Sequence, residues 1–395
     1  MKYKISIPGS KSYTNRALFI AAMCSSKVKI KNPLASGDTK AMISCLKILK
    51  TKRSLYNLNA HLSGTTIRFI LALACLTAGK KRVYGQEGLN KRPIKELVEG
   101  LRQLGAKIEY QNHEGYPPLK ITSSMLRPRT VRVKGNISSQ YISALLLIAP
   151  LVGPMTIQVT GDQISKPYID MTIDTMEKFG VKVINQNYKK YIVPGNQKYR
   201  AKEYTVEGDF SSAGYFFAIA ALTKLTITLK NLNPYSKQAD IKFLKILEEM
   251  GNKIKKGKNQ ITIYGKGVKA VTVDMKDCPD QVQTMSVLCA FAKGVSKITG
   301  VKSLRIKETE RVQALQRELA KMGIKTASTL DTLTIFGGNP HGAKIDTYND
   351  HRMAMAFAVA GCKIPGVIIK NPGVVSKTFP SFWKELKKIN IIQSL

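Results

Sequence analysis

Pro8-Gly9-Ser10-Lys11-Ser12-Tyr13-Thr14-Asn15-Arg16 runs directly into the apolar Ala17-Leu18-Phe19-Ile20-Ala21-Ala22-Met23. The stretch reads as a strand, a glycine turn, cationic and hydroxyl side chains, and then a helix apolar almost all round. Such a helix has no polar face to offer water and is expected to be buried. Ser12 is a good N-cap, and the free N–H groups behind it favour an anion. Lys11 and Arg16 add charged donors at the same end. A capped core helix with solvated charges accounts for the same residues without a ligand.

The pattern recurs, and the recurrence decides the architecture. Ser63-Gly64-Thr65-Thr66-Ile67-Arg68 leads into Phe69–Leu76, Ser138-Ser139-Gln140 into Tyr141–Leu151, and Asp209-Phe210-Ser211-Ser212 into Ala213–Leu222. Pro279-Asp280-Gln281 leads into Val282–Ala292, and Asp350-His351-Arg352 into Met353–Gly361. A second element repeats in step: the end of an amphipathic helix, a glycine, then a strand. Gly105, Gly180, Gly251 and Gly323 occupy that place at intervals of 75, 71 and 72 residues. Glycine there suits the left-handed residue that ends a helix. Weaker copies at Leu46–Leu49 and Leu386–Ile389 bring the count to six. The interval from Ser12 to Thr65 is short by about a third of a unit, which reads as a trimmed strand pair near Lys50–His61. Six units form two domains of three, unlike a doubly wound sheet with one switch point. Stacked alike, the buried helices of a domain run parallel with their N-termini on one face. Two such faces opposed across a cleft focus positive potential on a multiply charged anion.

At 395 residues the chain is long enough for two or more domains with ample cores. No run approaches the length of a membrane span, and Ile5-Ser6-Ile7 reads as a strand where a secretory leader would be apolar. A cytoplasmic location is expected. Cys24, Cys45, Cys75, Cys278, Cys289 and Cys362 form no CxxC pair, and His61, His113, His341 and His351 lack ligand spacing. Buried reduced thiols and no metal site follow. The net charge of +37 admits nucleic-acid binding, steering of anionic substrates, or lysine drift. Lysine far outnumbers arginine and is spread along the chain, and no nucleic-acid motif accompanies it, so drift leads and steering follows.

Further stretches carry chemistry. In Lys91-Arg92-Pro93-Ile94, Pro93 suits a first helical position. Ser165-Lys166-Pro167-Tyr168 precedes a helix over Ile169–Phe179. In Lys307-Glu308-Thr309-Glu310-Arg311 a carboxylate stands between cations four residues apart, at the start of a helix with Val312, Leu315, Leu319 and Met322 on one face. That arrangement can orient charges or handle protons, or be a salt-bridged surface. Asp280 is either an N-cap or a general base. Lys377-Thr378-Phe379-Pro380 supplies another cation in a loop.

Taken together, PGSKSYTNRA, SGTTIR, KRPI with the later YPPL, SSQYISALL, SKPYID, VEGDFSSAGYF, PDQ, RIKETER, YNDHRMAMAF and SKTFPSF resemble the 3-phosphoshikimate 1-carboxyvinyltransferase (EPSP synthase) family, in family order over nearly the whole chain. The resemblance implies an α/β fold: a two-domain inside-out α/β barrel, each domain three pseudo-repeated βαβαββ units. It implies a C-terminal, phosphoenolpyruvate-side domain of residues 1–9 and 208–395, and an N-terminal, shikimate-side domain of residues 10–207. The implied reaction joins phosphoenolpyruvate to the 5-hydroxyl of shikimate 3-phosphate and releases phosphate, through a tetrahedral ketal and without a cofactor. By resemblance Lys11 contacts both substrates and shuttles protons, and Ser12 and Arg16 hold the shikimate carboxylate side. Ser138, Ser139 and Ser165 bind the 3-phosphate, Gln140 and Tyr168 position the ligand, Ser303 contacts the shikimate phosphate, and Lys307 reaches that phosphate or a hydroxyl. Asp280 is the base on the attacking hydroxyl and Glu308 the proton donor to the methylene carbon. Arg92, Arg311, Arg352 and Lys377 clamp phosphoenolpyruvate, with Gly64, Thr65 and Gln140 close to it. Leu62 stands where the family carries an asparagine, and Ser303 stands at another such position. A monomer is implied. Alternatives are a binding protein on the same scaffold, a transferase acting on a UDP-amino sugar, and a nucleic-acid binder.

Overall fold

The computed structural model describes residues 2–122 and 125–389. The chain forms two compact units, Met1–Ser10 with Glu207–Leu395, and Lys11–Val206. The first strand, β1 (Lys2–Ser6), pairs in parallel with β12 (Thr226–Lys230), so the N-terminus is built into the sheet of the unit that holds most of the C-terminal half.

In the Lys11–Val206 unit, three helices are buried: α1 (Lys11–Met23), α3 (Gly64–Ala74) and α6 (Ser139–Val152). Every residue of α3 is buried, as an all-apolar helix requires. Three amphipathic helices, α2 (Gly37–Leu49), α5 (Lys95–Gln103) and α7 (Lys166–Lys178), and the single turn α4 (Glu87–Asn90) complete the set. Sheets cover them. Strand β3 (Leu55–Asn59) runs parallel to β4 (Lys80–Tyr84), which is antiparallel to β6 (Leu119–Thr122), which pairs with β5 (Lys107–Tyr110). The same order recurs with β7 (Thr130–Lys134), β8 (Met155–Thr160), β10 (Lys190–Val193) and β9 (Ile184–Gln186). Alternation sets the faces: Val131 and Val133 point into the core, while Thr130, Arg132 and Lys134 face water. The third copy keeps only β2 (Lys29–Lys31) paired with β11 (Glu203–Thr205). After α2 the chain passes straight to β3, so the hairpin of that copy is absent, as the short first interval indicates.

The other unit repeats the plan. Its buried helices are α8 (Phe210–Thr223), α10 (Val282–Ala290) and α12 (His351–Gly361); its amphipathic ones are α9 (Lys242–Glu249), α11 (Arg311–Lys321) and α13 (Phe382–Lys387). One sheet is β1, β12, β14 (Gln260–Tyr264) and β13 (Lys253–Gly257). The second is β15 (Thr272–Asp274), β16 (Gly294–Thr299), β18 (Thr332–Gly337) and β17 (Lys325–Ser328), and a pair β19 (Lys344–Ile345) with β20 (Ile368–Ile369) ends the series.

The four glycines end their helices alike. Gly105, Gly180, Gly251 and Gly323 have φ of +98, +80, +102 and +79°. The residue after each donates its N–H back to the helix, as Ala106 does to Leu101 O and Ile324 to Leu319 O. Within each unit the buried helices run the same way. Their C-terminal ends line one pocket, with Leu222, Phe291 and Ile364 in the one unit and Met23, Leu73 and Leu151 in the other. Among the described residues no helix is long and apolar enough to cross a membrane.

Candidate active site

In the Lys11–Val206 unit the polar residues collect at the helix N-termini. Helix α1 begins at Lys11, two residues earlier than a Ser12 cap requires, so Ser12 lies inside the first turn, and its carbonyl accepts from Arg16 Nη1 at 2.9 Å. Lys11 Nζ lies 3.5 Å from Asp38 Oδ2 in the first turn of α2. Arg16 is buried and ties α1 to α7: Nε donates to Thr172 Oγ1 at 2.8 Å and Nη2 to the Tyr168 carbonyl at 2.8 Å. Burial lowers its pKa to about 10. Three of its five N–H donors are thus engaged inside the unit, leaving two for any ligand.

Ser138 caps α6, accepting from Gln140 N at 3.3 Å, and Ser139 is the first helical residue. Gln140 Nε2 reaches Thr65 Oγ1 at 3.3 Å, while its amide oxygen is buried without a partner. Ser165 precedes α7 in the left-handed region, φ +53°. Its loop is tied to the Ser138 loop by Ile164 N donating to Gly135 O at 3.1 Å, so the serines belong to neighbouring loops. Pro93 is not the first helical residue: α5 starts at Lys95. The Pro93 carbonyl instead accepts from Arg68 Nη2 and the Tyr141 hydroxyl, which holds it outside the helix. A Cβ on Gly64 would stand 2.6 Å from Arg92 Nη1 and 2.9 Å from Arg68 Nη1, so two guanidinium groups close over a position only glycine leaves open.

The other unit gathers Asp280, Glu308, Arg311, Arg352 and Lys377 into one network. Asp280 sits within the 3₁₀ turn Pro279–Gln281 ahead of α10, where Cys278 and Gln281, not Asp280, occupy the cap positions. Its carboxylate meets Arg352 Nη2 at 2.6 Å and Arg311 Nη1 at 3.5 Å. Glu308 is gripped on both oxygens, by Lys377 Nζ at 2.8 Å and Arg311 Nη2 at 2.9 Å. Arg311 is 1% exposed and touches three carboxylates, including Asp350 through Nε at 2.7 Å. Burial alone lowers the Arg311 pKa, but Asp350, Glu308 and Asp280 more than offset this and leave it raised. Lys307 lies half-buried in the link before α11, a helix whose cap is Glu310, bonded to Gln313 N. Ser303 stands in the 3₁₀ turn Lys302–Ile306, and among the described residues no hydrogen bond joins its hydroxyl to the network.

Several partners escape a linear reading. Asp38, Asp350 and the grip of Lys377 on Glu308 join residues far apart in the chain. Asp38 has one local signal, since Ser36-Gly37-Asp38-Thr39 is a helix start of the capping-box kind. Asp350 is visible as a cap, accepting from Arg352 N at 2.9 Å, but not as the partner of Arg311. Among the described residues no group of three or more His, Cys, Asp or Glu is arranged to hold a metal ion.

A family model described as EPSP synthase (3-phosphoshikimate 1-carboxyvinyltransferase) matches residues 1–60 and 48–386. The chain belongs to the EPSP synthase family. The 3-phosphoshikimate 1-carboxyvinyltransferase of Sulfurovum sp. (strain NBC37-1) is 38% identical over 411 residues, covering 98% of this chain and 96% of that protein. The one of Aliivibrio fischeri (strain MJ11) is also 38% identical, over 98% and 96%. A solved EPSP synthase from Acinetobacter baumannii, 24% identical, superposes with a TM-score of 0.81 over 98% of this chain and 95% of that one. That likeness establishes the inside-out α/β fold of the EPSP synthase family here. Its six-fold repeat puts the polar motifs of each unit at the N-termini of parallel buried helices.

Proposed function

We propose that this chain transfers the enolpyruvyl group of phosphoenolpyruvate to the 5-hydroxyl of shikimate 3-phosphate, a step of aromatic amino acid biosynthesis. The observation that carries the reading is the Glu308 carboxylate held between Arg311 and Lys377 beside the Asp280–Arg352 pair. A reaction that adds a proton to one carbon and removes a hydroxyl proton needs an acid, a base and fixed cations for two anionic substrates. Glu308, protonated, delivers its proton to C3 of phosphoenolpyruvate. The 5-oxygen bonds to C2, and Asp280 takes the hydroxyl proton. The tetrahedral ketal then returns a proton from C3 to the Glu308 carboxylate and expels phosphate, which takes up the proton held by Asp280, and the double bond is restored.

The unit of Met1–Ser10 with Glu207–Leu395 is assigned the phosphoenolpyruvate-side role: Arg311, Arg352 and Lys377 hold its phosphate and carboxylate, and Lys307 and Ser303 reach toward the shikimate phosphate. The Lys11–Val206 unit is assigned the shikimate-side role. There Ser138, Ser139 and Ser165 hold the 3-phosphate. Lys11, Ser12, Arg16, Gln140 and Tyr168 orient the ring, and Gly64, Thr65 and Arg92 meet phosphoenolpyruvate. The buried, unpartnered Gln140 amide oxygen supports a ligand donor at that place. A cytoplasmic monomer is part of the proposal.

Phosphate release by the purified protein, with the two substrates together and singly, tests it. Release that requires both is the expected result. Calorimetric binding of shikimate 3-phosphate without release would reduce the protein to a binding scaffold, and neither binding nor release would overturn the substrate assignment.

A further inference from the structure

Asp240 has no role in the reaction just described, yet it is wired to the groups that do. It lies in the 3₁₀ turn Ala239–Ile241 ahead of α9 and is 3% exposed. Oδ2 is hydrogen-bonded to Ser211 Oγ on α8, and Oδ1 is buried without a partner. Ser211 Oγ lies 3.5 Å from Arg352 Nη2, the same nitrogen that meets Asp280 Oδ2 at 2.6 Å. Four side chains from four elements thus form one line: Asp240, Ser211, Arg352, Asp280.

An ionised carboxylate with an empty buried oxygen is costly, and protonation removes the cost. The groups facing Asp240 are Asp209 and Ser211 from α8, Cys278 and Asp280 from the turn before α10, and Arg352 from α12. Lys242, the first residue of α9, donates instead to the Asp274 carbonyl. Burial, then the Asp280 carboxylate, raise the Asp240 pKa to about 7, against Arg352 and the Ser211 hydrogen bond, which lower it.

We propose that Asp240 is a positioning residue that works through Ser211, its protonation deciding where the Ser211 hydroxyl points and how Arg352 receives an anion. With Asp240 ionised, Ser211 must give its one proton to Oδ2 and turns only lone pairs toward Arg352. With Asp240 protonated, its O–H donates to Ser211 Oγ, and the Ser211 proton is released to an anionic oxygen of phosphoenolpyruvate bound at Arg352. The protonated state also removes one negative charge from beside the anion. Both effects favour phosphoenolpyruvate binding below the titration and weaken it above. The inference rests on the proposed reaction for its ligand, but the titrating carboxyl is measurable without turnover.

The test compares the wild-type chain with Asp240→Asn and Ser211→Ala from about pH 5.5 to about pH 8.5, with shikimate 3-phosphate saturating. Asparagine donates to Ser211 as the protonated acid does and cannot ionise. The wild-type KM for phosphoenolpyruvate should rise about three- to tenfold across the range beyond any rise in Asp240→Asn, with kcat changing far less. Ionisation of the ligand itself is common to all three proteins and cancels in the comparison. Ser211→Ala keeps the carboxyl and its charge but breaks the relay, so its KM should lose the relay's share of the pH dependence and fall between wild type and Asp240→Asn, a result that stands even if Asp240→Asn does not fold. Infrared spectra should show a protonated-carboxyl band in the wild type that fades toward pH 8 and is missing in Asp240→Asn. Variants that track the wild-type KM at every pH, or a wild type without that band, would overturn the proposal. A wild type that turns over nothing refutes the reaction instead, and the infrared band together with calorimetric phosphoenolpyruvate binding then decides Asp240 by itself.

Discussion

Glu308 and Asp350 both bind Arg311, but they differ in burial and therefore in what their loss should do. Asp350 is fully buried and its carboxylate meets Arg311 Nε at 2.7 Å. Removing one partner of such a pair leaves the other charge uncompensated, so Asp350→Ala should cost about 3–5 kcal/mol of stability, read by urea unfolding. Glu308 is 16% exposed at its side chain, and its partner Arg311 keeps two other carboxylates, Asp280 and Asp350, when Glu308 is neutralised. Glu308→Gln should leave the unfolding midpoint near wild type and lower kcat by about 10²–10⁴-fold, with KM little changed. Phosphate-release kinetics at saturating substrate checks this, and normal turnover would remove Glu308 from the mechanism. The cluster was partly legible: the spacing from Glu308 to Arg311 placed them on one another, as found. Lys377 was legible only as a cation in a loop, because its contact with Glu308 spans 69 residues.

Two short turns deliver the C-terminal cations, and both run through unusual backbone. Tyr348 and Asn349 have φ of +52 and +54°, immediately before Asp350, and Asn371 has φ +52° before the 3₁₀ turn Pro372–Lys377. Left-handed non-glycine residues cost of order 1 kcal/mol and persist where neighbours hold them. Here Glu318, buried in α11, accepts from the Tyr348 hydroxyl at 2.6 Å and the Asp346 N–H at 2.9 Å. Asn371 Nδ2 donates to Asn349 Oδ1 at 3.0 Å, so the turn carrying Arg352 and the turn carrying Lys377 are pinned together. Asn371→Ala removes the pin and replaces a residue tolerant of the left-handed region. It should raise KM for phosphoenolpyruvate about three- to tenfold while KM for shikimate 3-phosphate stays within about twofold, in steady-state kinetics with each substrate varied. An equal rise in both would mean general loosening. The helices themselves were legible, since apolar runs and the Gly105, Gly180, Gly251 and Gly323 stops need only local chemistry. Their first residues were not: Lys11 precedes the expected Ser12 cap, and Pro93 is held out of α5 by contacts from Arg68 and Tyr141.

At the scale of the molecule, charge sets two expectations. Asp240 has a folded-state pKa raised from 3.8 to about 7. The folded state therefore binds this proton more tightly than the unfolded one. Its contribution to stability is full below about pH 4 and is lost as pH rises through about 7. Asp240→Asn should flatten that decline, measured as urea unfolding free energy at several pH values; an unchanged slope would show that the carboxyl ionises as freely as in the unfolded chain. The net charge of +37 is carried by lysines distributed along the whole sequence. Duplex DNA should show no retention at physiological salt in an anisotropy titration, whereas tight binding with a steep salt slope would point to a nucleic-acid partner. What the sequence determined alone is the repeat: six apolar helices, their amphipathic companions and one trimmed copy. Each follows from hydrophobic period, glycine chirality and spacing, which are local in the chain. The family followed from motifs in order. What only the tertiary structure decided is the pairing: Lys11 with Asp38, Arg311 with Asp350, Lys377 with Glu308, and the line from Asp240 to Asp280. Coulomb attraction and desolvation depend on distance and burial in space, and a linear sequence carries neither.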